Sequence, residues 1–159
     1  MTLLKQISIH ELTDFKIGNA EYTEGATGCT VILPREKGAT WGVDIRGGGP
    51  AKREGGLLNP LAANDSVNAV LLSGGSAFGL EASIGVTKFL EEKGIGFPTD
   101  SGVVPIVCQS CLFDLEMHTS QIRPDTALGY QVCLNAENNN YTDGNVGAGC
   151  GATCGKAYG

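Results

Sequence analysis

One stretch constrains this chain more than any other: Asn68-Ala69-Val70-Leu71-Leu72-Ser73-Gly74-Gly75-Ser76-Ala77-Phe78-Gly79-Leu80. The apolar run Ala69 to Leu72 is short enough for a strand buried on both faces. Gly74-Gly75 turns the chain, and Ser76 is placed to cap a following helix. A strand that stops at paired glycines and re-enters as a helix aims backbone N–H groups at whatever lies in front of it. Gly74, Gly75 and Ser76 are therefore candidates for the floor of a polar site. The plainer reading of the stretch alone is a tight connection with no ligand.

The helix expected after the turn runs from Ser76 to Lys93. Its apolar residues Ala77, Leu80, Ile84, Val86, Phe89 and Leu90 cover a wide arc, which marks a largely buried helix, and Gly94 is a natural stop. Gly79 and Gly85 inside it each cost about 1 kcal/mol relative to alanine, so close packing against another element is the expected compensation.

Length and charge narrow the class. A chain of 159 residues with 42% hydrophobic residues suits a single globular domain, 1–159. A formal charge of -6 argues against nucleic acid or an anionic membrane as the main partner. Met1 opens a polar, mixed stretch without a signal-peptide core, and no apolar run approaches membrane-spanning length, so the expected location is cytoplasmic.

The six cysteines are then expected to be reduced. Cys29 and Cys133 lie in apolar patterns and read as small core residues. Cys108 with Cys111, and Cys150 with Cys154, have the spacing of thiolate pairs, but neither pair has the turn residues of a zinc knuckle. The expectation is no metal and no cofactor. His10 and His118 are isolated and read as surface or loop residues.

Elsewhere the pattern is coarser. Ile7 to Phe15 reads as a strand or a short helical turn, broken by Lys16 to Ala20. Gly28 to Leu33 reads as a strand closed by Pro34. Glu36-Lys37-Gly38 reads as a hairpin turn. Thr40 to Arg46 reads as a second strand, paired antiparallel with the first. In it Trp41, Val43 and Ile45 face the core, and Asp44 and Arg46 either line a polar space or form ion pairs. Ala51 to Asp65 is expected to be a long loop, Val103 to Val107 an extended segment at a sheet edge or bulge, and Cys108 to Asp114 a turn or loop. Pro124 opens a second helix that ends at Asn138-Asn139-Asn140, with Leu128, Cys133 and Leu134 facing inward.

The glycine-rich stretch from Gly144 to Lys156 invites a phosphate-loop reading. It fails: Cys150 stands where the Walker pattern needs glycine, and Ala157 follows the lysine. The dinucleotide pattern fails at Cys154. Glycines this dense still place backbone close to something. Asn145 brings an amide donor and acceptor to the entry of that turn.

Three stretches taken together carry a resemblance. They are Gly38-Ala39-Thr40-Trp41-Gly42-Val43-Asp44-Ile45-Arg46-Gly47-Gly48, the Asn68 to Leu80 segment with Gly94-Ile95-Gly96-Phe97-Pro98, and Gly144-Asn145-Val146-Gly147-Ala148-Gly149. In order and spacing they resemble peptidase family S58. This is the family of the L-aminopeptidase/D-esterase, the β-peptidyl aminopeptidases and the nylon-oligomer hydrolase. Phe113-Asp114-Leu115 and Arg123-Pro124-Asp125 also sit where that family has similar residues.

The resemblance implies an α/β fold, the αββα sandwich of N-terminal-nucleophile hydrolases, here without its C-terminal β-chain part. It implies an amide or peptide hydrolase cut from a self-cleaving precursor. A Ser or Thr at the start of a separate β chain would attack, with its own α-amino group as base. Asn145 is the residue implied to touch the chemistry. Cys111 is the rough match to a substrate-side tyrosine of some aminopeptidases, and Gly74, Gly75 and Ser76 would floor the pocket. The implied partners are the β chain, a small peptide or amide substrate and further copies of the chain. The alternative is an inactive family member that acts as a binding or structural protein.

Overall fold

The computed structural model describes residues 4–35 and 38–158. Along them lie four strands, a helix, three more strands and a second helix: β1 (Phe15–Tyr22), β2 (Thr27–Pro34), β3 (Lys52–Arg53), β4 (Ala69–Ser73), α1 (Ala82–Glu92), β5 (Phe97–Thr99), β6 (Gly102–Val104), β7 (Val107–Cys111) and α2 (Thr126–Glu137). Five strands form one mixed sheet in the order β1-β2-β4-β7-β3, and β5 and β6 form a separate ribbon. Within the sheet β4 and β7 run parallel, with Ser73 opposite Cys111, and the other pairs are antiparallel. The result is a mixed α/β fold, as expected.

Both helices cover the same face of the sheet. Ala82, Val86, Phe89 and Leu90 of α1 and Leu128, Val132, Cys133 and Ala136 of α2 form one core with Ala20, Cys29, Val31, Leu33, Ala69, Leu71 and Val107. Cys29 and Cys133 are core residues, as read from sequence. Asp125 caps α2 by accepting the Leu128 N–H at 2.9 Å, and Asn138 follows as its C-cap. The cap is thus one residue beyond Pro124, which is buried ahead of the helix.

The helices approach each other through missing side chains. A Cβ on Gly129 would collide with the Ala82 carbonyl, and one on Gly85 would lie 2.9 Å from the Gly129 carbonyl carbon. Close packing is indeed what offsets a glycine inside α1.

Four expectations change. Val70 and Leu72 are 39% and 41% exposed, so β4 is buried on its helix face only. A short apolar run reads the same whether one layer or two cover it. Residues 16–20, read as a break, are the middle of β1. Their helix-facing positions are Gly18 and Ala20, because α2 lies too close for anything larger: a Cβ on Gly18 would be 2.6 Å from the Val132 carbonyl. Thr40 to Arg46 is no strand. Ala39 makes a lone bridge with Val67, and β2 pairs with β1 and β4 instead. Alternation gives a period but not a partner. Finally, Val107–Cys111 is an internal strand and not a loop. The Glu36-Lys37 part of the proposed hairpin turn lies outside the described residues.

Within the long 51–65 segment only Lys52 and Arg53 pair with the sheet. No helix among the described residues is long and apolar enough to cross a membrane.

Gly129→Val should therefore lower stability by about 2–3 kcal/mol through overpacking against α1. A urea midpoint unchanged from the parent protein would contradict the close helix contact.

Candidate functional site

The C-terminal ends of the parallel strands β4 and β7 meet the turn that opens α1, and polar side chains converge there. Gln109 Nε2 donates to Ser73 Oγ at 2.9 Å and to the Gly79 carbonyl at 2.7 Å. Ser73 Oγ lies 3.1 Å from Cys111 Sγ. Burial pushes the Cys111 thiol up, the Ser73 contact works against that, and the nearby Asp114 charge adds to it. Cys111 is thus a neutral, weakly polar thiol at neutral pH and not an activated nucleophile.

Asp114 ties this corner together. It is only 2% exposed. One carboxylate oxygen accepts the Thr27 hydroxyl at 2.7 Å and the other accepts the Gly75 N–H at 2.7 Å. Gly74 is glycine because a Cβ there would collide with that carboxylate and with the Thr27 hydroxyl. Sequence reading noted Phe113-Asp114-Leu115 only as part of a resemblance and gave Asp114 no role. The available signal was a lone acid between two apolar residues, which is a costly place for a charge unless it is bonded.

The turn itself differs from the expected helix start. Gly75, at φ +80°, is the N-cap, and Ser76 follows at φ +53° inside a 3₁₀ turn, Ser76–Glu81, that leads into α1. Ser76 is not the cap. The N–H groups of Gly74, Gly75 and Ser76 donate to the Gly28 carbonyl at 2.9 Å, to Asp114 and to the Leu112 carbonyl at 2.9 Å. All three are engaged inside the protein. What the turn presents outward is Ala77 and Phe78, with the Arg123 guanidinium 4.1 Å from the Phe78 ring centre. Pro124 packs behind the same turn: a Cβ on Gly75 would be 2.9 Å from its Cδ.

The glycine-rich stretch lies next to this corner. Gly147–Gly149 forms a 3₁₀ turn. A Cβ on Gly151 would be 2.9 Å from the Asp114 Cβ. Asp114 thus touches both glycine motifs. Asn145 stands exposed just ahead of the turn, and its amide makes no hydrogen bond among the described residues. The fold therefore brings Cys111 together with Gly74, Gly75 and Ser76, and sets the Asn145 turn beside them through Gly151 and Asp114. A cleft of about 500 Å³ adjoins Asp114, walled by Phe113, Glu116, Met117, Thr153, Cys154 and Lys156, and Cys111, Gly74, Gly75, Ser76 and Asn145 are not among the residues that line it.

Asp44 and Arg46 pair with each other at 2.8 Å, and both are exposed. Cys108 and Cys111, three apart on a strand, point to opposite faces of the sheet. Among the described residues no three His, Cys, Asp or Glu side chains are grouped to hold a metal ion. His10 and His118 are exposed.

Comparison with known proteins gives the chain its family. The family model "Peptidase family S58" matches residues 8–159, and the chain belongs to that family. It is 45% identical over 134 residues to an uncharacterized aminopeptidase of Mycobacterium tuberculosis, covering 84% of this chain and 38% of that protein. An uncharacterized aminopeptidase of Mycobacterium leprae is 41% identical over 141 residues, 84% of this chain and 39% of that protein. The 6-aminohexanoate-oligomer endohydrolase of Paenarthrobacter ureafaciens is 35% identical over 141 residues, covering 88% and 37%. The chain thus spans about two fifths of the length of these relatives.

Buried protons set a pH dependence. Desolvation holds the Cys29 and Cys133 thiols far above the usual thiol range and Cys108 at about 11. Burial, followed by the Asp125 hydrogen bond, pushes Tyr22 up to about 12. Each group keeps its proton in the fold at a pH where the unfolded chain has lost it. Their stabilisation is complete below about pH 8.5, the unfolded thiol value, and drains as pH rises beyond it. The urea midpoint should fall steadily between pH 8 and 11, and a midpoint that rises over that range would contradict the burial of these thiols.

Proposed function

We propose that this chain is the α-chain portion of an amide-bond hydrolase acting on small peptides or amino-terminated oligomers. The observation that carries the reading is the glycine-rich stretch behind Asn145, which packs at Gly151 against Asp114, the carboxylate that also accepts the Gly75 N–H, in a chain of peptidase family S58. The names of its relatives, aminopeptidase and 6-aminohexanoate-oligomer endohydrolase, both describe amide hydrolysis.

In this reading the nucleophile is a Ser or Thr hydroxyl outside residues 1–159. It is freed at the start of a β chain when the precursor cuts its own backbone, and its α-amino group takes the hydroxyl proton. The hydroxyl oxygen attacks the substrate carbonyl, an acyl ester forms as the amine leaves, and water then releases the acid. The Asn145 amide, exposed and without a protein partner among the described residues, is free to donate to the oxygen on which charge develops. Cys111 and the Gly74–Ser76 turn shape the neighbouring wall of the substrate site.

The β chain also answers a packing need. Helices cover one face of the sheet, and Val70 and Leu72 stand partly bare on the other. A second sheet laid on that face, with its own helices, would complete an αββα sandwich. The working protein is an oligomer of such pairs in the cytoplasm.

The test uses the full-length polypeptide. Intact mass and N-terminal sequencing should find two chains, the smaller beginning with Ser or Thr. The preparation should hydrolyse aminoacyl p-nitroanilides, and Asn145→Ala should lower kcat by about 100–1000-fold, the usual cost of losing one oxyanion donor. A single uncut chain that hydrolyses no small amide would point instead to an inactive family member.

A further inference from the structure

The turn that follows Asn145 closes two hydrogen bonds of its own, from the Gly149 N–H to the Val146 carbonyl and from the Cys150 N–H to the Gly147 carbonyl, both at 3.0 Å, but these do not fix where it sits on the sheet. Among the described residues its grips come largely from the N-terminal hairpin, β1 and β2, outside the motifs that carry the family resemblance. On the face of that hairpin away from the helices, three side chains stand together. Asn19 and Glu21 are two apart on β1, so they share a face, and Thr30 of β2 is the cross-strand partner of Asn19. Opposite Glu21 the hairpin has Gly28, which leaves a gap in the side-chain layer.

The glycine turn sits in that gap. The Gly147 N–H donates to the Glu21 carboxylate, and the Ala148 N–H donates to Thr30 Oγ1 at 3.1 Å. The Thr30 hydroxyl donates its own hydrogen bond to Asn19 Oδ1 at 2.9 Å, so its oxygen stays oriented to accept. Asn19 holds the approach to the turn as well, with Nδ2 donating to the Thr142 carbonyl at 2.8 Å and its backbone N–H donating to the Asn140 carbonyl at 3.2 Å. Gly147 takes φ +58°, and a Cβ there would lie 2.5 Å from Thr30 Oγ1 and 2.9 Å from Asn19 Oδ1. A Cβ on Gly28 would collide with the Gly147 carbonyl. Socket and turn are therefore matched on both sides.

We propose that Glu21 and Thr30 are positioning residues for the hydrolytic reaction: they seat the Gly147–Gly149 turn and so fix where Asn145 points. The assignment rests on the amide-hydrolase reading above. Two bonds to consecutive backbone N–H groups leave the turn no rotation of its own, and Asn145 stands only two residues before the first of them. Glu21 provides the stronger bond, since a carboxylate accepts from a backbone N–H about twice as strongly as a neutral oxygen does. Glu21 is partly exposed, so its replacement does not open the core.

The experiment compares Glu21→Ala, Glu21→Gln, Thr30→Val and Asn145→Ala with the parent in the full-length, processed protein. Steady-state hydrolysis of an aminoacyl p-nitroanilide is measured beside amide hydrogen exchange. A displaced donor costs up to about 100-fold in rate, so Glu21→Ala and Thr30→Val should each lower kcat by about 10–100-fold while KM stays within about threefold. Glu21→Gln, which still offers an oxygen to the Gly147 N–H, should recover kcat to within about fivefold of the parent. Exchange should speed up at Gly147 and Ala148 in the alanine and valine variants and stay unchanged in the core strands.

A wild-type kcat in Glu21→Ala and Thr30→Val, with Asn145→Ala inactive, would overturn the socket and leave the hydrolase reading standing. Lower thermal stability with unchanged kcat would do the same, because it would make the socket purely structural. A parent protein without hydrolysis, or an Asn145→Ala variant as active as the parent, would instead overturn the hydrolase reading and with it the catalytic role of the socket.

Discussion

The candidate site depends on one buried carboxylate. Asp114 sits past the end of β7 with almost no contact with water, and it receives a hydroxyl from the start of β2 and a backbone N–H from the turn after β4. A carboxylate in such a place is costly unless its oxygens are bonded, and each bond to a charged group contributes about 1.5–3 kcal/mol. The requirement works in both directions. The charge needs those donors, and the donors are held where the charge is. Two glycine motifs far apart in sequence, at Gly74 and Gly151, consequently close on the same side chain, and each does so because it has no Cβ to keep the carboxylate away.

Glycine serves a similar purpose in the scaffold. Gly85 and Gly129 bring α1 and α2 together, and Gly18 lets α2 lie directly on β1. The helices are thereby pressed to one side of the sheet, with Phe89, Leu90 and Val132 filling the space between. The other side is left to the 40s segment, the glycine-rich turn and the partly bare residues Val70 and Leu72. The two faces of the sheet have different roles. The covered face supplies stability, while the open face carries the polar socket of Asn19, Glu21 and Thr30 and the turn seated in it.

Much of the helix-side architecture was legible in the chain. The strand at Ala69, the buried helix after it, the helix opened near Pro124, its stop at Asn138 and the core positions of Cys29 and Cys133 all follow from period, capping chemistry and polarity. The misreadings share a cause. β1 was hidden because its core-facing residues, Gly18 and Ala20, are small where α2 presses on them, so the strand shows little hydrophobic alternation. Thr40 to Arg46 shows strong alternation and no strand, because among the described residues the only backbone pairing beside it is the lone Ala39–Val67 bridge. Both errors concern contacts between distant segments, which a local pattern does not encode.

The same division holds for the site. By itself the sequence determined the family, through the order and spacing of three glycine-containing motifs, and it singled out Asn145 and the Gly74–Gly75 turn as places where backbone must come close to something. What they come close to was decided only by the tertiary structure. Gly74, Gly75 and Ser76 direct their N–H groups into the protein because the Gly28 carbonyl, Asp114 and Leu112 are waiting there. The Asn145 turn is seated by Glu21 and Thr30, more than a hundred residues earlier in the chain. A glycine records in the sequence that space is short at its position. The identity of the group that fills the space is a property of the folded packing, and only the fold brings that group within hydrogen-bonding distance.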